Sequence, residues 1–175
     1  MNKIKSIFTV LTLTIAVSIS AFAQSQNVSL PSLDGETVSL NGQKGKVIVL
    51  ALGASWLPLS KSQATVINKL SKKYAGRDVV FYFVATDSTS AKSKNYASNE
   101  QIETFATRNK LIIPILRDSD GLVVLKKFGV DQLPSFVVID KQGVQAAEPF
   151  GGLTPTPEAE LELVTQIAQR IDKVL

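Results

Sequence analysis

One uninterrupted apolar run stands out in the pattern of hydrophobic and polar positions. Val47 to Leu52 is entirely apolar and lies between Gly45 and Gly53. An apolar run without alternation is typical of a strand that is buried on both faces. Apolar residues then recur at helical spacing, at Ala64, Ile67, Leu70 and Tyr74. The pattern predicts a central strand, a tight loop and a helix from about Pro58 to Tyr74.

A second apolar run, Val79 to Thr86, follows the predicted helix. Two apolar strands joined by a helix predict a parallel β-α-β unit with a right-handed crossover. The loops that follow both strands then leave the sheet at the same edge. The second loop, Asp87 to Asn99, is polar and rich in Ser and Lys. We interpret it as a solvated connector, or alternatively as a lid in which Tyr96 is the only aromatic residue.

Smaller elements are predicted on both sides of this unit. Before it, Val28 to Leu30 and Thr37 to Leu40 alternate between apolar and polar residues around Asp34-Gly35, which indicates a hairpin. After it we expect, in order, a helix from Asn99 to about Asn109, a short strand at Pro114 to Arg117, a helix at Leu122 to Phe128, and an antiparallel hairpin of Phe136 to Ile139 with Val144 to Ala147. The predicted sheet is therefore mixed.

The last segment predicts an amphipathic helix that begins at Glu158. Its apolar stripe consists of Leu161, Val164, Ala168, Ile171 and Leu175. A stripe at steps of three and four residues indicates one buried face. Docking onto the domain is the favoured interpretation because the stripe is only about two heptads long, and a partner or coiled-coil helix is the alternative.

Asp118 and Asp120 lie in the turn Asp118-Ser119-Asp120-Gly121. Carboxylates in a short loop can bind hard cations, but an EF-hand loop needs more oxygen ligands and a terminal Glu. Helix capping and turn formation explain these residues better. We therefore expect no metal site and no cofactor.

The first 23 residues have the features of an export signal. Lys3 and Lys5 precede an apolar stretch, and Ala21-Phe22-Ala23 resembles a cleavage site. The apolar stretch is short for a membrane span, so cleavage is favoured over a retained anchor. The net charge of +4 becomes +2 without the two leader lysines, which gives no electrostatic basis for nucleic-acid binding. We expect a bacterial protein in the periplasm or another extracytoplasmic space, with no stable membrane anchor.

Two segments carry a family resemblance: DGETVSLNGQKGKVIVLALGASWLPLS and the later KLIIPILRDSDGLVVLKKFGVDQLPSFVVIDKQG. In this order they resemble thioredoxin-fold proteins of the TlpA/ResA and AhpC/TSA redoxin group. The resemblance covers about Asn27 to Gly152. It implies an α/β, thioredoxin-like three-layer fold with a mixed central sheet and an N-terminal β-hairpin addition. We accordingly assign residues 24–152 to this domain and residues 153–175 to the C-terminal amphipathic helix.

The resemblance also places the family's redox motif on residues that cannot perform its chemistry. The two cysteines of Trp-Cys-x-x-Cys fall at Leu57 and Ser60, the family's acid at Gln63 and a following proline at Thr65. Thiol-disulfide exchange requires a thiolate, and the chain contains no cysteine. It also contains no histidine, so a Ser-His-Asp triad is impossible. No catalytic residue is predicted.

A second family feature survives the loss of the cysteines. Proteins of this group have a cis proline opposite the redox loop, and the resemblance places it at Pro134. It implies that the backbone of Leu133 faces Trp56 and Leu57 and offers its N–H and C=O groups to an extended peptide. The predicted binding site therefore consists of Trp56, Leu57, Pro58, Ser60, Leu133 and Pro134.

Three functional hypotheses follow. The first is a non-catalytic module that binds an extracytoplasmic protein or peptide at this site. The second is thiol-disulfide oxidoreductase or antioxidant activity, which family membership suggests but which the absence of cysteine disfavours. The third is a structural assembly subunit in which the last helix and the Lys-rich loop make the contacts. An exposed apolar surface around Trp56 and Leu57 would favour the first, and an uncovered apolar helix face would favour the third.

Overall fold

The computed structural model describes residues 28–175, so the predicted export signal lies outside the described residues. The strands are β1 (Ser29–Pro31), β2 (Thr37–Ser39), β3 (Val47–Gly53), β4 (Val79–Ala85), β5 (Ile115–Arg117) and β6 (Ser135–Ile139). The helices are α1 (Ser60–Lys73), α2 (Asn99–Arg108), α3 (Val124–Phe128) and α4 (Pro157–Val174). Short 3-10 turns lie at Asn41–Gln43 and Ser119–Gly121.

The main sheet has four strands in the order β5-β4-β3-β6. β3 pairs in parallel with β4, and β4 in parallel with β5, as the β-α-β pattern predicts. β6 runs antiparallel to β3, with Leu52 opposite Ser135. The predicted mixed sheet is confirmed, and so is the N-terminal hairpin formed by β1 and β2. The loops after β3, β4 and β5 and the loop before β6 all lie at one edge of the sheet.

Alternate residues of β3 enter two different hydrophobic cores. Val47, Val49 and Ala51 pack into the first core, with α1, α2 and α4. Ile48, Leu50 and Leu52 pack into the second core, with the N-terminal hairpin and α3. Side chains of a strand alternate between its faces, so a strand in the middle layer of three must be apolar at every position. This arrangement explains the uninterrupted apolar run.

Helix α4 docks on the domain through a face that includes Val164, Ala168, Ile171 and Leu175 of the predicted stripe and differs from it at the N-terminal end. Its buried residues are Leu163, Ile167, Ala168 and Ile171, whereas Leu161 is 61% exposed. The prediction for Leu161 is therefore wrong. The Tyr74 hydroxyl at the end of α1 lies 3.0 Å from the Ala168 carbonyl and 2.9 Å from Asp172 Oδ1, and these contacts fix how α4 is rotated. Burial, together with the hydrogen bond to Asp172, raises the pKa of Tyr74 to about 12.

The predicted strand at Val144 to Ala147 does not form as a regular strand. The turn after β6 is present, with Asp140 N–H donating to the Val144 carbonyl, but the pairing with β6 is limited to an isolated bridge between Ile139 and Gln145. A second bridge joins Phe136 to Phe150. The Gln145 side chain donates instead to the carbonyls of Phe128 and Ala147, which holds this segment against the end of α3.

Candidate functional site

The loop after β3 is fixed to the loop after β4 by one buried carboxylate. Asp87 is fully buried and accepts the backbone N–H of Ser55, 3.0 Å from each carboxylate oxygen, and the Ser55 hydroxyl at 2.5 Å. Because β3 and β4 are parallel, their following loops are neighbours, as expected. The side chain of Trp56, next to this anchor, is 49% exposed. The anchor therefore holds an aromatic side chain at the surface.

The two positions aligned with the family's cysteines have different environments. Leu57 is half-buried and packs against neither core, whereas Leu59 packs against the first core. Pro58 is exposed. Ser60 is the first residue of α1 and is fully buried, and its Oγ accepts the backbone N–H of Ala54 at 3.3 Å. The loop thus exposes apolar groups and no reactive nucleophile.

Gln63 occupies the position of the family's acid and has a structural role. It is fully buried, and its Nε2 donates to the carbonyls of Leu52 and Ser135, each at 3.0 Å. Its Oε1 is buried without a hydrogen-bond partner. A Cβ at Gly53 would lie 2.2 Å from this oxygen, so only glycine leaves room for the amide. The neutral amide links the end of β3 to the start of β6.

The loop before β6 carries the second half of the predicted site. The Leu133-Pro134 peptide bond is cis, as the resemblance implies. Pro134 is buried, and the half-buried Leu133 packs against the second core. Within residues 28–175, no group forms a hydrogen bond with the Leu133 N–H or C=O. Gln63 links the end of β3 directly to Ser135, so this loop adjoins the one that carries Trp56.

The loop between β4 and α2 is anchored at both ends and exposed in the middle. Ser88 and Ala97 are buried, and their carbonyls both accept from the guanidinium of Arg117. Arg117 is itself buried at the end of β5 and also donates to Asn99 Oδ1 at 2.5 Å. Tyr96 is 41% exposed. A buried cation therefore holds both ends of this loop against the sheet.

Asp87 and Arg117 are structural anchors that are not among the predicted site residues. Both are charged residues at the end of an apolar run, and that placement is the signal that identifies them. The predicted capping role of Asp118 is confirmed, because its carboxylate accepts the backbone N–H groups of Val123 and Val124 at the start of α3. Burial raises the pKa of this carboxyl, while the capping hydrogen bonds oppose the shift.

Comparison with known proteins agrees with this geometry. The AhpC/TSA family model matches residues 23–146. The chain is 33% identical to the thioredoxin-like protein YneN of Bacillus subtilis, over 73% of this chain and 70% of that protein. It is 25% identical to the thiol-disulfide oxidoreductase ResA of Bacillus thuringiensis, over 69% of this chain and 64% of that protein.

Solved structures show the same architecture. The dsbF protein of MTB superposes with a TM-score of 0.65 at 21% identity, covering 86% of this chain and 97% of that one. A secreted disulfide oxidoreductase of Mycobacterium tuberculosis gives a TM-score of 0.61 at 18% identity, covering 85% and 97%.

The three-layer fold and the cis-proline loop opposite the end of β3 define a thioredoxin-like protein. The chain belongs to the AhpC/TSA family. It is a member without cysteine, and so it cannot itself form the mixed disulfide of thiol-disulfide exchange.

Proposed function

We propose that this protein is an exported, non-catalytic binding module that holds an extended segment of another extracytoplasmic polypeptide. The binding edge consists of the loop 54–59 and the loop 131–134. The observation that carries the proposal is the unpaired backbone of Leu133 beside the half-exposed Trp56.

The free backbone groups supply one half of the interaction. Backbone N–H and C=O groups in folded proteins are nearly always paired when they are removed from water. A half-buried residue with both groups free can receive an extended peptide in the way that a sheet edge receives another strand. This mode needs no thiol, so the loss of both cysteines leaves it intact.

Exposed apolar side chains supply the other half. Among residues 28–175, six large hydrophobic side chains are exposed, and four of them lie in loops at this edge of the sheet: Trp56, Tyr96, Leu122 and Val123. Large apolar groups gathered on one surface are typical of interaction sites. Leu57 adds a half-buried apolar group where the family has a thiol.

The two other hypotheses have less support. Redox catalysis by this chain would need a nucleophilic sulfur, which only a partner could supply. An assembly role for α4 would need an uncovered apolar face, but the residues that form that face are buried in the first core. Leu161 remains as the exposed apolar residue on α4 and provides a control position.

Export is supported by the predicted leader and by the similarity to a protein described as secreted. Among the described residues, none of the helices combines the length and the apolar character needed to cross a bilayer.

Site-specific photo-crosslinking distinguishes the binding edge from α4. A photoreactive amino acid replaces Leu57 in one variant and Leu161 in a matched control, and both are irradiated in intact cells. We expect a discrete crosslinked polypeptide from position 57 and none from position 161. Crosslinks from position 161 alone would support the assembly hypothesis and contradict the binding edge.

A further inference from the structure

A cavity of about 430 Å³ adjoins the loop that carries Trp56. Ser55 forms one wall, and one side of α2 forms the other. The α2 residues that line it are Gln101, Thr104, Phe105, Arg108 and Asn109. The half-buried ring of Phe105 contacts Phe83, with ring centroids 5.6 Å apart, so the cavity has one rigid apolar wall.

The cavity contains one charged group and no counterion. Arg108 is exposed, and its guanidinium forms no ion pair or hydrogen bond within residues 28–175. The polar neighbours are already occupied: Gln101 accepts the Ser98 N–H, and Thr104 donates to the Glu100 carbonyl. The donors of Arg108 therefore remain available, and a guanidinium pairs best with a carboxylate.

The sheet order indicates which molecule would bring that carboxylate. Leu133 precedes β6, Trp56 follows β3, and Ser55 is anchored to Asp87 after β4. Ser55 lines the cavity and directly precedes Trp56 in the loop after β3. A peptide that pairs with Leu133 and crosses Trp56 therefore passes beside this cavity.

We propose that the cavity beside Ser55 binds an acidic side chain of the same extended peptide, with Arg108 as its charge partner. This inference rests on the proposed function. It predicts a recognition pattern in which an apolar residue lies over Trp56 and an Asp or Glu lies close to it in the peptide sequence.

Selection from a random decapeptide display library tests the inference. The purified protein, Arg108→Gln and Lys110→Gln are panned in parallel, and the selected pools are sequenced. Lys110 is an exposed cation two residues away that does not line the cavity, so its variant controls for loss of charge. We expect the native protein and Lys110→Gln to enrich Asp or Glu near an apolar residue, and Arg108→Gln to keep only the apolar preference.

Binding measurements then quantify the contact. An acidic peptide from the selection and its Asp→Asn or Glu→Gln analogue are titrated by fluorescence anisotropy. Exposed ion pairs contribute up to about 1 kcal/mol, so the native protein should bind the acidic form up to about fivefold more tightly. Arg108→Gln should bind both forms equally, and added salt should reduce the native difference.

Three results would overturn the inference. Selected peptides without an acidic preference would refute the role of the cavity as a site for an acidic side chain. If those peptides bound the native protein but not the variant Leu57→Asp, the proposed function would stand. An unchanged acidic preference in Arg108→Gln would show that Arg108 does not bind the acidic side chain. Its position in the last turn would then only stabilise the C-terminal end of α2. Failure of the native protein to select any peptide would refute the inference and the proposed function together.

Discussion

Replacing Gln63 with glutamate is expected to make the stability of the protein depend on pH. The amide is fully buried and donates to the carbonyls of Leu52 and Ser135, each at 3.0 Å. An ionised carboxylate donates nothing and would place negative charge against two carbonyl oxygens. Burial of such a group raises its pKa, because the charged form loses its hydration.

The expected magnitude follows from the two protonation states. Below about pH 4 the carboxyl is protonated in the folded and the unfolded protein and still donates one hydrogen bond, so the variant loses about 1 kcal/mol. At neutral pH an uncompensated buried charge costs about 3–5 kcal/mol. Since the folded-state pKa is raised, stability is retained below the unfolded value of about 4.3 and is lost as pH rises towards the folded value.

Urea unfolding followed by far-UV circular dichroism at pH 4, 5.5 and 7.5 measures this effect. Gln63→Met removes both hydrogen bonds without adding a titratable group, and its loss of about 2–3 kcal/mol should not change with pH. Gln169→Glu adds the same carboxyl on the exposed side of α4 and should have little effect. An equal destabilisation of Gln63→Glu at pH 4 and pH 7.5 would refute the burial argument.

Three further perturbations test other parts of the structure. Gly53→Ala should lower the free energy of unfolding in urea by about 1–3 kcal/mol, because the new Cβ would lie 2.2 Å from the unpaired oxygen of Gln63. The control Gly42→Ala should be nearly neutral, because its Cβ would meet only one atom, at 3.7 Å. Equal losses in the two variants would contradict this. Leu57→Cys with Ser60→Cys should restore some thiol-disulfide exchange in an insulin-reduction assay, and complete inertness of the folded double variant would contradict the alignment of the redox loop. The contribution of Tyr74 to stability should fall by about 2–3 kcal/mol between pH 10 and 12, because the unfolded state ionises this hydroxyl first. Tyr74→Phe should therefore show a smaller fall than the native protein, and equal falls would contradict the raised pKa of Tyr74.

The parts of the fold that were predictable are those fixed by hydrophobic pattern. The continuous apolar runs of β3 and β4 follow from burial on both faces, and the helix between them follows from its spacing. The N-terminal end of the buried face of α4 was not predictable in the same way, because Leu161 and Leu163 each fit an apolar stripe. The choice between them depends on packing against α1, where the Tyr74 hydroxyl contacts α4. That contact joins residues far apart in the sequence, so no local sequence pattern indicates it.

The candidate site was likewise predictable only in part. The resemblance placed the former cysteine positions and the cis proline, and the cis bond is present. It did not show that Gln63 would connect two strands, because that role depends on carbonyls brought together by the β3–β6 pairing. The cavity at Arg108 likewise forms only when α2 lies beside the loop after β3. The spacing of residues along the sequence predicts neither the Gln63 link nor the cavity.

Hydrogen exchange at the Leu133 amide tests the central claim most directly. This N–H has no partner within residues 28–175 and should exchange rapidly in the free protein. Addition of a peptide selected by the native protein should slow its exchange, because the peptide backbone would accept the hydrogen bond. Unchanged exchange at Leu133, with slowing of amides elsewhere, would place the bound peptide on another surface and contradict strand-like binding at this edge.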